Sequence, residues 1–477
     1  MKLSDLFEGQ NVSQDMEIRG ITSDSRQVSP GFVFAALKGV AHDGHDFIPQ
    51  ALDAGAVAVL AEREVDTGDS VLIIDEEPRR ALALAAAKFY HGQPASIIAV
   101  TGTNGKSSTV DFLRQIWTHL GLRAASMGTL GAIGPDGKLD LGHTTPDPVA
   151  IHRTLSELHR TGVTHVAMEA SSHGLAQYRL DGVDLSGVAF TNLTQDHLDY
   201  HADFDEYRSA KLRLIRELTS PGTLAVISAD SSETDVFEGA AGDAGLRSLS
   251  VGWRGRDLKI RELSPRATGQ SIDLLYKDKA YDINLPLIGE FQALNALVAA
   301  GLAIGLGAKA QDVFTAMESL QTVKGRLEFV GETNDGAAVF VDYAHTPDGL
   351  DVLLRAARPH TAGQLTVVFG CGGDRDPYKR PMMGDVAHKL ADRIIVTDDN
   401  PRSEDPASIR AAILASCPDA EEIGDRHQAI ETAIAGLKRG DTLLIAGKGH
   451  ETGQIIGAKV VPFSDQDSAK RALEAVS

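Results

Sequence analysis

Apolar residues recur along this chain in two alternating patterns. Short unbroken apolar runs read as buried strands of a parallel sheet. Stretches with an apolar residue every third or fourth position read as amphipathic helices. Up to residue 92 the runs fall at 32–37, 56–60 and 71–74, and they predict a small α/β domain. Gly92-Gln93-Pro94 breaks the pattern. It restarts with strands expected at 97–101, 164–169, 187–192 and 223–228, alternating with helices as in a mainly parallel, doubly wound sheet. Two runs at 271–276 and 281–285, split by Lys277-Asp278-Lys279, predict a hairpin on the flank of this domain. A helix is expected over 289–306, with Phe291, Leu294, Val298 and Leu302 on its apolar face. A third alternation begins near Arg326, with strands at 338–342, 365–370, 393–398 and 442–446 and helices at 346–357, 380–391, 406–416 and 427–437. The expected fold is therefore α/β in three domains. They are a small N-terminal domain (1–92), a central domain with a P-loop-type, mainly parallel sheet and a β flank (93–324), and a Rossmann-like open sheet (325–477).

Charge narrows the partners. The 477 residues carry a formal charge of −20, spread along the chain. This argues against nucleic acid or an anionic membrane as a main partner. Any polyanionic substrate must then be met by local Lys, Arg, N–H groups or Mg²⁺. The two cysteines, Cys371 and Cys417, allow neither a disulfide framework nor a cysteine-based zinc site, which fits a reducing cytoplasm. The first sixteen residues lack the apolar core of a signal peptide, and no run approaches membrane-spanning length.

The strongest local signal follows the strand expected at 97–101. Gly102-Thr103-Asn104-Gly105-Lys106-Ser107-Ser108 leads into a helix with Val110, Leu113, Trp117 and Leu120 on one face, stopped near Gly121. Strand, glycine turn, Lys-Ser and helix form the layout of a phosphate-binding loop, although the spacing is shorter than the common pattern. Backbone N–H groups and the helix start would face phosphates, Lys106 would reach the terminal ones, and the Ser107 hydroxyl suits Mg²⁺. A glycine turn alone is ordinary strand–helix punctuation. Here all the parts are in register.

Other candidates lie at expected strand ends. Glu169 and His197 leave neighbouring strands on the phosphate-loop side, and a carboxylate with an imidazole there suits a divalent metal; helix capping and packing are the plainer alternatives. Lys211, on a following helix, reads from spacing alone as a surface lysine or an anion contact. Thr144-Thr145-Pro146 reads first as a helix cap with proline at the first helical position, though its hydroxyls could also grip a carboxylate or phosphate. Thr22-Ser23-Asp24-Ser25-Arg26 and Gly39-Val40-Ala41-His42-Asp43-Gly44 read as turns. In the third domain four loops at corresponding strand ends are glycine-rich or charged: 343–345, 371–376, 399–402 and 447–451. Asp399-Asn400-Pro401-Arg402 could read a zwitterion, with Asp399 on an ammonium and Arg402 on a carboxylate.

Taken in order, these segments resemble the Mur ligases, ATP-dependent amide-forming enzymes of peptidoglycan synthesis. The resemblance rests on 101–107, Glu169-Ala170-Ser171-Ser172-His173, the segment 196–201 with Tyr207 and Lys211, Gly325-Arg326-Leu327-Glu328, and Asp342-Tyr343-Ala344-His345-Thr346-Pro347. Asp399-Asn400-Pro401-Arg402 resembles the signature of the members that add meso-diaminopimelate, where lysine-adding members usually differ. The resemblance implies a cytoplasmic monomer acting on ATP, UDP-MurNAc-L-Ala-D-Glu and meso-diaminopimelate with Mg²⁺. It implies that Gly102, Thr103, Asn104, Gly105, Lys106, Ser107 and Ser108 hold ATP phosphates, Asn295 the adenine side, and Arg326 and Asp342 the nucleotide from the third domain. Glu169, His197 and a CO₂-carbamylated Lys211 would serve a second Mg²⁺. Ser23, Ser25, Val40, Ala41 and His42 would hold the UDP end of the substrate, and Thr144, Thr145, Ser171, Gln177 and Arg179 its muramoyl-dipeptide end. Arg375, Asp399, Asn400, Pro401, Arg402, Gly447 and Glu451 would take the diamino acid. Lysine as the amine, or a sibling amide ligase such as folylpolyglutamate synthase, are the alternatives. Four positions depart from the usual family pattern: Ser107-Ser108 for Thr-Thr, Gln292 for Asn, and His143 for Asn.

Overall fold

The computed structural model describes residues 1–9, 14–39, 42–194 and 200–476. By internal contacts the chain divides into two compact units, one of residues 1–258 with 298–313 and one of 259–297 with 314–477.

The first unit holds two sheets. The N-terminal one has four parallel strands in chain order, Gly20–Thr22, Phe32–Ala35, Ala56–Ala61 and Val71–Ile74. Helix Pro78–Phe89 buries Leu82, Ala83, Ala85 and Ala86. The larger sheet runs in the order Arg247–Gly252, Leu224–Ser228, Gly187–Phe190, Ser96–Thr101, His165–Glu169 and Ala124–Gly128, all parallel. Gly131–Gly134 and Gly137–Leu139 then add antiparallel strands at the edge. The strands are buried on both faces, which is why they read as continuous apolar runs. Ser96–Thr101 is the switch point. The chain leaves it toward Ala124–Gly128, returns beside it at His165–Glu169, and crosses to its other edge at Gly187–Phe190. In open parallel sheets the crevice beyond the carboxyl end of such a strand is where ligands bind.

Helix Lys106–His119 starts at that crevice. Gly105, left-handed at φ 85°, is its cap residue, so no side chain covers the first N–H groups. Burial of Val110, Phe112, Leu113, Ile116 and Trp117 holds the helix against the sheet. The strand Ala124–Gly128 was not legible, because Ala-Ala-Ser-Met-Gly lacks β-branched residues. The helix after the Thr144-Thr145 pair corrects the expected cap: Asp147 caps it by accepting from Ala150 N, and Pro148, not Pro146, takes the first helical position. That releases both threonines for other contacts.

The second unit contains three flank strands, Leu258–Arg266, Gly269–Tyr276 and Lys279–Leu285; the last two form the expected hairpin. Its main sheet runs Glu328–Glu332, Ala338–Asp342, Thr442–Ala446, Leu365–Phe369, Arg393–Val396 and Glu421–Glu422. All neighbours are parallel except the first pair. The four loops singled out in sequence all leave carboxyl ends of these strands. A separate hairpin, Gly453–Ile456 with Lys459–Pro462, follows the last of them.

Two buried polar groups tie this sheet to its last helix. Arg426 and Asp465 form a bidentate pair at 2.7 and 2.8 Å, with both side chains fully buried. Asp465→Ala strands a guanidinium away from water, at an expected cost of roughly 3–5 kcal/mol. Denaturant unfolding of the variant checks this; a loss below about 1 kcal/mol would mean that water reaches Arg426.

Candidate active site

At the carboxyl end of Ser96–Thr101 the chain's own groups fill the phosphate loop. The Lys106 ammonium donates to the carbonyl oxygens of Gly102 (2.9 Å) and Thr103 (2.7 Å). Lys211, reaching in from helix Phe204–Arg216, donates to the same Gly102 oxygen at 2.8 Å. It is 1% exposed and lies 4.5 Å from the Tyr207 ring centroid. It is therefore not the surface lysine that spacing alone suggested. The loop is braced on its far side. Thr103 Oγ1 meets the Tyr207 hydroxyl (3.0 Å) and donates to Thr194 O (3.1 Å), while Asn104 N donates to the Asn192 side chain (3.0 Å).

Glu169 ends the adjacent strand and is buried. Its Oε1 accepts from the Ser107 hydroxyl at 2.9 Å and from Thr129 N at 2.8 Å. A Cβ on Gly128 would sit 2.0 Å from that oxygen, so glycine is what allows the carboxylate to lie across the strand end. Ser107 and Glu169 thus offer adjacent hard oxygen donors. That set fits Mg²⁺, which takes one or two protein oxygens and completes its shell with phosphate and water. Among the described residues no three His, Cys, Asp or Glu side chains converge into a metal-holding group. His197, with Val40 and Ala41, lies outside the described residues.

The threonine pair joins this cluster. Thr144 Oγ1 meets Thr129 Oγ1 (3.0 Å); Thr145 Oγ1 donates to Glu169 O (3.0 Å) and accepts from Ser171 N (3.1 Å). Arg179 donates to Thr145 O (2.5 Å) and to Gln177 Oε1 (2.7 Å), and Gln177 in turn donates to the Tyr200 hydroxyl (3.0 Å). One hydrogen-bonded band therefore links Ser107, Glu169, Thr144, Thr145, Ser171, Gln177 and Arg179. Thr129 is the member that sequence reasoning missed; its strand neighbours gave no signal. Ser23, Ser25 and His42 stay with the N-terminal sheet: Ser25 donates to Gln50 (3.0 Å), and exposed His42 packs its ring against Phe47.

In the second unit Arg326 lies 5.0 Å from the Tyr343 ring centroid. Asp342 accepts from Leu327 N and Ala344 N, both at 2.7 Å, and burial pushes its carboxyl above the usual range. Asn295 donates weakly to Gln292, at 3.4 Å. Burial raises the Tyr343 hydroxyl, and the charges of Glu451, Arg326, Asp399 and Arg375 also act on it, so this ring stands among the candidate groups.

The Asp399–Arg402 turn is clamped from two sides. Gly373 N donates to Asn400 O (2.9 Å) and Arg402 Nη1 to Gly373 O (2.8 Å). From the hairpin, Ile455 N donates to Asn400 Oδ1 (2.9 Å), Gln454 Nε2 to Asp399 O (2.6 Å) and Gly457 N to Arg402 O (2.7 Å). These bonds hold Arg402 at φ 53°, a left-handed conformation costly for arginine. Gly447, at φ 119°, lets the next loop approach: a Cβ there would sit 2.8 Å from Asp399 Oδ2. Arg375 is exposed on the neighbouring loop. Sequence reasoning noted the charged loop 447–451 but passed over Lys448, which is 0% exposed and bonded to Asn400 and Glu451. Its only sequence signal is a lysine between two glycines, three residues before a glutamate.

Three family models match successive parts of the chain. A model described as Mur ligase family, catalytic domain, matches residues 17–90; the Mur ligase middle domain matches 100–303, and the Mur ligase, glutamate ligase domain, 325–449. The UDP-N-acetylmuramoyl-L-alanyl-D-glutamate--2,6-diaminopimelate ligase of Bradyrhizobium diazoefficiens is 52% identical, covering 99% of both chains. The protein so named in Caulobacter vibrioides is 51% identical over 100% of this chain and 99% of its own. A solved structure of a ligase of that name superposes with a TM-score of 0.76 at 33% identity, covering 96% of this chain and 95% of that one. MurF from Acinetobacter baumannii shares the fold at a TM-score of 0.63 and 22% identity, with 93% and 94% of the two chains covered. With the matched models tiling most of the sequence and relatives alike from end to end, the chain belongs to the Mur ligase family.

Proposed function

We propose that this chain uses ATP to join meso-diaminopimelate to the D-Glu γ-carboxylate of UDP-MurNAc-L-Ala-D-Glu, in the cytoplasm. The observation that carries this reading is the clamped Asp399–Arg402 turn. A carboxylate, an amide and a guanidinium sit in four residues, beside Glu451 and Arg375, which is what a diamino dicarboxylic acid needs. The full-length likeness to ligases named for that amine supports it. We take the domains as 1–92, 93–324 and 325–477, a division supported by the three family matches. Among the described residues no helix is long and apolar enough to cross a membrane.

The chemistry begins with a γ-carboxylate oxygen attacking the γ-phosphorus of ATP, giving an acyl phosphate and ADP. A free amine of the diamino acid then adds to the acyl carbon. The tetrahedral adduct loses a proton and expels phosphate, leaving the amide. The obstacle is the approach of one anion to another. Lys106 and the N–H groups at the start of its helix would hold the phosphates; Thr144, Thr145, Ser171, Gln177 and Arg179 would orient the dipeptide. Asn104, Gly105, Ser108, Asn295, Arg326 and Asp342 complete the proposed nucleotide set. Ser107, Glu169, His197 and carbamylated Lys211 would hold Mg²⁺, whose charge offsets that of the phosphates. Carbamylation joins the unprotonated Lys211 nitrogen to CO₂ with loss of a proton and turns a cation into an oxygen ligand. Ser23, Ser25, Val40, Ala41 and His42 would take the uridine diphosphate.

The deciding assay is phosphate release with UDP-MurNAc-L-Ala-D-Glu and ATP. The expected result is release dependent on meso-diaminopimelate and weak with L-lysine or L-ornithine; no amine-dependent release would rule out the ligase reading. Lysine lacks the distal carboxylate and would leave the Arg402 guanidinium without a carboxylate partner, a mismatch worth roughly 10⁴-fold. Arg402→Ala is accordingly expected to collapse the preference, and kcat/KM for the two amines measures it. Lys211→Arg cannot form a carbamate and is expected to be nearly inactive; turnover near wild type in that variant would remove the carbamate from the scheme.

A further inference from the structure

Lys448 is among the largest fully buried side chains of the molecule, and it is a lysine. A buried ammonium is costly unless paired and hydrogen-bonded. Its nitrogen donates to Asn400 Oδ1 at 3.0 Å and to Glu451 Oε2 at 3.0 Å. Asn400 Nδ2 closes the ring by donating to the same Glu451 oxygen at 3.0 Å. Asn400 Oδ1 also accepts from Ile455 N at 2.9 Å. A flipped amide would point its NH₂ at two donors, so the network itself fixes which way Asn400 faces.

This ring changes what Asn400 and Glu451 can offer. The Asn400 oxygen is used twice and has little left for a ligand ammonium. Oε2 of Glu451 is also used twice, which leaves Oε1 to carry a contact. Burial works against the charged form of Glu451, but the bonds from Asn400 and Lys448 outweigh it and hold the carboxyl below the usual range. The ring also ties the 399–402 turn to the 447–451 loop.

We propose that Lys448 is a positioning residue for the amino-acid substrate: it aims one carboxylate oxygen of Glu451 at the substrate and fixes which way the Asn400 amide faces. The inference rests on the proposed ligase function. It assigns the orientation of two proposed contacts, Asn400 and Glu451, to a residue that never touches the ligand.

The test is steady-state kinetics of the full chain with Lys448→Met, Lys448→Gln, Glu451→Gln and the double variant Lys448→Met/Glu451→Gln. Loss of charge-assisted hydrogen bonds to a contact residue is expected to raise KM for meso-diaminopimelate about 10- to 100-fold in Lys448→Met, and less in Lys448→Gln, which can still donate to Asn400. KM for ATP and kcat at saturating amine should stay within about twofold, which a general loss of structure would not allow. If Lys448 acts through Glu451, adding Lys448→Met to Glu451→Gln should raise KM less than about threefold further. Unchanged KM for the amine, independent and fully multiplicative effects, or failure of both Lys448 variants to fold would each overturn the proposal. Absence of amine-dependent phosphate release in the unmodified protein would instead overturn the ligase reading.

Discussion

Two lysines share one oxygen. Lys106 and Lys211 come from helices about a hundred residues apart in sequence, yet both ammonium groups donate to the Gly102 carbonyl, at 2.9 and 2.8 Å. Two ammonium groups on one acceptor repel each other, and the positive end of the Lys106–His119 helix adds to that repulsion, so the site favours an anion. The turn that presents the Gly102 oxygen, the start of helix Lys106–His119 and the brace from Tyr207 to Thr103 all converge on that point. In a chain with a formal charge of −20, the two lysines as they stand make it a concentrated positive site; with the proposed carbamate on Lys211, Lys106 and the helix start remain to meet the phosphates. A nucleotide polyphosphate is the ligand such a site fits.

Parallel strand order explains why the remaining groups are scattered in sequence. Each parallel strand delivers its loop to the same edge, so one crevice collects residues from far apart in the chain. In the first unit that edge gathers the phosphate loop, Glu169 and the threonine band. In the second it gathers the loops after Ala338–Asp342, Leu365–Phe369, Arg393–Val396 and Thr442–Ala446. A charged turn such as Asp399–Arg402 would be mobile alone. The hydrogen bonds from Gly373 and from the 453–462 hairpin make it a fixed wall.

Strands buried on both faces were legible because they are apolar throughout, and the phosphate loop was legible because its glycines, lysine and helix are contiguous. The strand Ala124–Gly128 was not, since small residues carry no strand signal and its place is set by neighbours on the sheet. The burial of Lys211 and Lys448 was equally hidden: a lysine's sequence context is the same whether its partner is water or a carbonyl from a distant loop. The cap at Asp147 was misplaced because two Pro-containing caps stood two residues apart, and only backbone geometry chooses between them. The metal role at Glu169 was read from its strand-end position, and the dipeptide role at Thr144 and Thr145 came from resemblance; the hydrogen bonds among them supply a physical reason for their grouping.

The central claim is that the bound carboxylate, not water or the amine, attacks ATP. Substrate labelled with ¹⁸O in the D-Glu γ-carboxylate tests it directly, with the released phosphate read by mass spectrometry. The expected result is one ¹⁸O atom in each phosphate formed during ligation, carried over through the acyl phosphate. Phosphate without label, formed while the amide product accumulates, would contradict it.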